Sequence, residues 1–210
     1  MANRNVVENP IKVIITNYPD GMTEELPIEN NREVPELGER IVSFSKELWV
    51  DGDDFMEIPA KKYFRLFEGN EVRFKGAYFI TCKEIVKNED GSIKELHCTY
   101  DPDTKSGTEG ANRKVKGTIH WVNAADAVKV RIRNYDYLML EDENGEMQLN
   151  PDSMIESWGY AEPLLGEAKP GERCQFFRKG YYIADSELCT DEEKVFNKIV
   201  GLKSSFKVKK

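Results

Sequence analysis

The chain has 210 residues, enough for one large domain or two of about 100 residues each. Its 30 Lys and Arg against 38 Asp and Glu leave a net charge of −8, which argues against a protein that holds nucleic acid by charge alone. Mean hydropathy is −0.60, no apolar run approaches the ~20 residues of a bilayer-spanning helix, and the N-terminal MANRNVVENP lacks an apolar signal core.

Residues 11–17 (IKVIITN) are rich in β-branched side chains and end at a Tyr18-Pro19-Asp20-Gly21 turn, which predicts a strand. Residues 40–50 alternate, with the even positions the more apolar until Trp49, where a change of facing is expected. The acidic run Asp51–Asp54 lacks the loop spacing of an EF-hand and reads as a solvated tight turn. Pro59 suits a first helical turn, so 58–68 predicts one of the few helices. Residues 71–87 predict one long bent strand with Gly76 as a bulge, joined through Asp90-Gly91 to a strand over 93–100. The polar stretch Tyr100–Asn112 separates two strand-rich blocks, giving domains at 1–112 and 113–210 with possible strand exchange near the termini and the boundary.

In the second block, strands are expected over 114–121 and 128–135, with a short turn at Asn123–Val128. Asn144-Gly145 and Lys179-Gly180 mark two further hairpins, and Val195–Leu202 closes the set. Many short strands with Gly-rich turns place the chain among mainly β barrels or sandwiches.

The chemistry motifs are mostly missing. There is no P-loop, G-x-G-x-x-G, G-x-S-x-G or H-E-x-x-H pattern. The four Cys, at 82, 98, 174 and 189, show no C-x-x-C spacing, and His97 and His120 are the sole histidines, so free thiols in a reducing compartment are expected rather than a zinc site. What recurs is basic residues interleaved with aromatics: Lys61-Lys62-Tyr63-Phe64-Arg65, Arg73-Phe74-Lys75, Arg131 and Arg133 before Tyr135, and Gln175-Phe176-Phe177-Arg178. Single-stranded RNA is read by such sets, with unstacked bases resting on rings while Arg, Lys and Gln bond their edges. The competing reading is a charged outer face with the aromatics turned inward.

These residues resemble a family. Pro10–Tyr18, Glu47–Asp51 with Asp54-Phe55, Tyr63–Leu66, Gly69–Tyr78, Cys98–Asp101, Lys114–Val122, Ile132–Asp136, Tyr160–Pro163, Gln175-Phe176, Gly180-Tyr181, and Val195–Asn197 with Val200–Leu202 are collinear with the C-terminal anticodon-binding region of glutaminyl-tRNA synthetases. The resemblance implies two consecutive antiparallel β-barrels, of the ribosomal-protein-like kind, that bind the anticodon loop of glutamine tRNA with its bases splayed into separate pockets. It implies that Arg65 reads the third anticodon base, a guanine, with Lys62 and Phe64 at flanking positions. Arg73 and Lys75 would flank the first base, Gln175 would read the central uridine with Arg178 nearby, and Lys203 would meet phosphate. A family arginine before the first strand falls on Asn3 without a gap and one residue from Arg4. Neither a HIGH-like nor a KMSKS-like motif is present, so the chain alone is expected to be non-catalytic. ATP would belong to a catalytic domain elsewhere in a longer, monomeric, cytoplasmic synthetase. The alternative is a β-barrel protein-interaction or ribosomal-RNA-binding module that shares only the fold.

Overall fold

The computed structural model describes residues 1–202. Eighteen strands and only 3-10 turns make up its regular structure. In chain order the strands are β1 (Asn3–Arg4), β2 (Val6–Glu8), β3 (Ile11–Ile15), β4 (Thr23–Glu29), β5 (Glu39–Ser45) and β6 (Glu47–Val50). Then follow β7 (Glu71–Phe74), β8 (Phe79–Lys87), β9 (Ile93–Asp101), β10 (Thr118–Ile119), β11 (Trp121–Asn123) and β12 (Val128–Tyr135). The last six are β13 (Met139–Glu141), β14 (Met147–Leu149), β15 (Met154–Ala161), β16 (Arg173–Phe176), β17 (Gly180–Ala184) and β18 (Lys194–Gly201).

Two seven-stranded sheets carry the architecture, in the orders β10-β7-β8-β9-β3-β6-β11 and β1-β16-β17-β18-β12-β15-β2. In the first, the edge strands β10 and β11 are consecutive in the chain, with only His120 between them. In the second, the edges β1 and β2 are separated only by Asn5. Each sheet is thus drawn nearly shut by one short segment that pairs with both of its ends, which removes the exposed edges of an open sheet. Most pairings are antiparallel, and β1–β16, β7–β10, β3–β9 and β12–β18 are parallel.

The closing segments are exchanged: residues 3–8 belong to the second sheet and 118–123 to the first. Where each leaves its ladder, its odd residue bonds the other segment. Asn5 Nδ2 donates to Trp121 O at 3.1 Å, and His120 Nε2 donates to Val6 O at 2.8 Å. Both side chains are buried, so these bonds supply what water cannot. Each barrel has its own core. Phe44, Leu48, Phe74 and Trp121 fill the first, and Val130, Ile132, Phe176, Tyr182 and Phe196 the second.

Several local expectations are corrected. Residues 58–68 form turns, not a helix. Leu66 donates its N–H to Asp54 O and accepts from Met56 N, and Lys62 sits at φ 68°, so the backbone there bonds across the loop instead of along a helix. Residues 71–87 are two strands, not one bent strand. Gly76 (φ +72°) turns the chain, and a Cβ there would lie 2.7 Å from Ile28 Cγ1. The facing of 40–50 does not shift at Trp49. Val42, Phe44, Leu48 and Val50 are all buried on one side, while Trp49 stacks on Tyr160 of the second barrel at 4.8 Å. Residues 114–117 stay outside the strands, and Asp51 and Asp54 are buried rather than solvated.

Candidate nucleic-acid interface

Between the two barrels lies a cleft of about 850 Å³. The first barrel supplies Arg73 and Lys75, carried at the end of β7 and in the turn that follows. The second supplies Asn3, Gln175, Phe177 and Tyr181. Asn3 and Gln175 are register partners on the parallel strands β1 and β16, which sets two carboxamides side by side. Asn3 is 8% exposed, and its Oδ1 has no hydrogen-bond partner among the described residues.

Two cations of the cleft, Arg73 and Lys75, rest on rings. The Arg73 guanidinium lies 4.3 Å from the Phe79 centroid and donates to Ala111 O, and the Lys75 ammonium lies 3.6 Å from the Phe177 centroid. The Lys75–Phe177 contact joins the barrels, since one residue comes from each. Burial, reinforced by the Arg40 charge, lowers the Lys75 pKa to about 8. The cleft therefore holds its ammonium charge at a cost, and an anionic ligand would relieve that cost.

Beside the cleft a second set of charges pins the barrels together. The Asp54 carboxylate accepts both terminal nitrogens of Arg178, at 2.7 and 2.8 Å. Arg65 Nη1 lies 3.3 Å from the same carboxylate and donates to Asp53 O at 2.9 Å. Lys179 bridges Asp51 at 2.6 Å and Glu8 at 2.8 Å. Burial opposes the Lys179 charge, but these two carboxylates outweigh it and hold its pKa above the ordinary value. His120 lies beneath, fully buried, and burial lowers its pKa against the pull of Asp54 and Asp51.

Sequence comparison decides what this surface belongs to. Residues 2–101 and residues 118–185 each match a family model described as tRNA synthetases class I (E and Q), anti-codon binding domain. The chain is 52% identical to the glutamine–tRNA ligase of Clostridium perfringens over 209 residues, covering 97% of this chain and 38% of the relative. It is 50% identical to that of Clostridioides difficile and 49% identical to that of Clostridium kluyveri, over 96% and 95% of the chain. The chain belongs to the anticodon-binding domain family of class I (E and Q) tRNA synthetases. It spans about 38% of the length of these ligases.

The site residues expected from the sequence sort into distinct places on this anticodon-binding domain. Arg73, Lys75 and Gln175 converge in the cleft. Arg65 and Arg178 meet at Asp54 instead. Lys62 is exposed in a turn, and Phe64 is 45% exposed with the Lys116 ammonium 4.9 Å from its centroid. Arg4 does not line the cleft: it donates to Asn30 Oδ1 at 2.8 Å and lies 3.6 Å from Glu162, and burial lowers its pKa. Lys203 lies outside the described residues. Among those residues no group of three or more His, Cys, Asp or Glu could hold a metal ion, and no helix is long and apolar enough to cross a membrane.

Three contributors were not among the expected site residues: Asn3, Phe177 and Asp54. The ungapped register already pointed to Asn3. Phe177 lies in the Gln175–Arg178 cluster, two residues beyond Gln175. Asp54 appeared only in the Asp54-Phe55 part of the resemblance, and nothing in the sequence pointed to its partner Arg178, 124 residues away.

The pH dependence follows from Lys75. Its pKa in the folded chain is about 8, so the ammonium is present below that pH and lost above it. Binding of an anionic RNA loop is expected to weaken by up to about tenfold between pH 7 and 9. Lys75→Arg, which stays charged, should flatten that profile in fluorescence-anisotropy titrations; a profile equally steep in both proteins would assign the effect elsewhere.

Proposed function

We propose that this chain is the anticodon-reading part of a glutamine–tRNA ligase that joins glutamine to tRNA(Gln) with ATP in the cytoplasm. The remaining length of that polypeptide holds the ATP and does the chemistry, and the enzyme works as a monomer. The observation that carries the reading is the cleft itself. Arg73 and Lys75 from one barrel face Asn3 and Gln175 from the other, in a chain of the anticodon-binding family. The two cations supply attraction for the backbone and base edges of a loop, and the two carboxamides supply paired donors and acceptors for one base edge. Because the whole chain carries −8, binding depends on these placed groups rather than on overall charge.

An anticodon stem-loop of glutamine tRNA tests this directly. Changing its central uridine to cytosine is expected to cost about 1–3 kcal/mol in binding, the usual range for a base-edge mismatch. Gln175→Ala should erase most of that difference while leaving the fold intact, since Gln175 lies at the cleft and outside the second core. Equal affinity of the unaltered chain for both loops would rule out reading of that base. No binding to either loop would favour a barrel module that shares only the fold.

A further inference from the structure

The acidic run at 51–54 is the feature that the cleft leaves unexplained. Asp51 forms a turn by accepting from Asp53 N, and this brings Asp54 inward until its carboxylate is 2% exposed. A buried carboxylate needs partners, and Asp54 has two from different barrels. Arg178, at φ 67° in the β16–β17 turn, takes both oxygens with its fork. Arg65 arrives from the first barrel, in a segment held by Leu66 N–H on Asp54 O and by Asn70 Nδ2 on Arg65 O. Its Nη1 is committed to Asp53 O and Asp54. Its side chain is 43% exposed, and its other N–H groups have no protein partner among the described residues.

We propose that Asp54 is a positioning residue for base reading. By fixing one nitrogen of Arg65 while clamping Arg178, it presents the remaining N–H edge of Arg65 outward as a preset fork for a guanine edge, and it ties that fork to the docking of the second barrel. The inference rests on the reading of this chain as an anticodon binder. It goes beyond that reading by assigning to an acidic residue, which itself repels RNA, the task of orienting the base-reading guanidinium. Arg presents paired donors that match O6 and N7 of guanine, and a preset side chain loses less freedom on binding than a loose one.

The experiment compares stem-loops with guanine or adenine as the third anticodon base. The unaltered chain should prefer guanine. Asp54→Asn should cut that preference about tenfold, whereas in an Arg65→Ala background the same substitution should change it by less than twofold. That asymmetry separates positioning from a general structural role, which would weaken both loops alike and act in both backgrounds. Should Asp54→Asn fail to fold, as judged by its thermal melt, the double variant Asp54→Asn, Arg178→Gln replaces the buried ion pair with two neutral amides and carries the same comparison. An unchanged preference in the folded variant, or an equal fall with and without Arg65, would overturn the proposal. If neither loop binds, the reading as an anticodon binder fails first; loops that bind equally well, with no preference for guanine, overturn this inference alone.

Discussion

Trp121→Ala is expected to lower the unfolding free energy by about 3–5 kcal/mol, the cost typical of emptying a large buried aromatic site. Trp121 is fully buried in the strand that closes the first barrel. Its ring meets Phe44 edge-on at 5.1 Å, and its Nε1 donates to Lys75 O at 3.0 Å. The substitution therefore empties a core site and also releases the backbone of the turn that carries a cleft cation. Trp121→Phe separates the two effects. It keeps most of the volume and loses the N–H, at about 1 kcal/mol for a neutral hydrogen bond. Urea denaturation measures both. A loss under 1 kcal/mol for the alanine variant would mean that the closing strand does not anchor the core.

Glu162→Ala should be similarly severe, at about 3–5 kcal/mol, because it strands a buried charge. Glu162 is 1% exposed at the end of β15. Its Oε2 accepts Arg40 Nη2 at 2.7 Å and Asn5 N–H at 3.1 Å, and its Oε1 lies 2.7 Å from Arg40 Nε in ion-pair contact. Arg40 belongs to β5 of the first barrel's hairpin, so this pair, like Asp54 with Arg178, spans the junction. Removing the carboxylate leaves the 8%-exposed Arg40 without a counter-charge and leaves Asn5 N–H without its acceptor. Glu162→Gln keeps an acceptor and should cost less. Denaturant midpoints of the two variants, taken together, test the order; an alanine variant as stable as the glutamine one would show that the charge is not what the site needs.

The sequence was readable wherever the signal is local. The turn at Asp90-Gly91 and the turn at Asn144-Gly145 join β8 to β9 and β13 to β14 as expected, and 128–135 is the strand β12 residue for residue. Alternation and turn chemistry are properties of neighbouring residues, so they need no knowledge of the rest of the chain. Four strands were missed, β1, β2, β4 and β15, and for the first two the reason is distant. β1 and β2 are short polar or apolar fragments that become strands only because β16 and β15 lie alongside. β4 (TEELPIE) carries Pro27 and three glutamates, and it pairs along its whole length with β5.

The same division runs through the candidate site. The basic and aromatic clusters around Arg73 and Gln175 stood out by residue type, a charged outer face competed with RNA reading as their explanation, and the collinear motifs then identified the family. Facing could not. Asn3 and Arg4 are adjacent, and one residue of register sends one to the cleft and the other to Glu162. Nor could burial of charge, because the acidic run looks like a solvated turn until Lys179 and Arg178 are brought against it.

By itself, then, the sequence determined a mainly β chain with its hairpins in place, an acidic surface unsuited to indiscriminate RNA binding, and the residue types of an anticodon reader. Only the tertiary structure decided that residues 3–8 and 118–123 exchange barrels, that Asn5 and His120 lock the exchange, and that Asp54 gathers an arginine from each side. Periodicity encodes which side chains alternate, but it does not say which strand lies opposite. The sign of a buried charge's contribution depends on the partner that reaches it, and here that partner comes from more than 100 residues away.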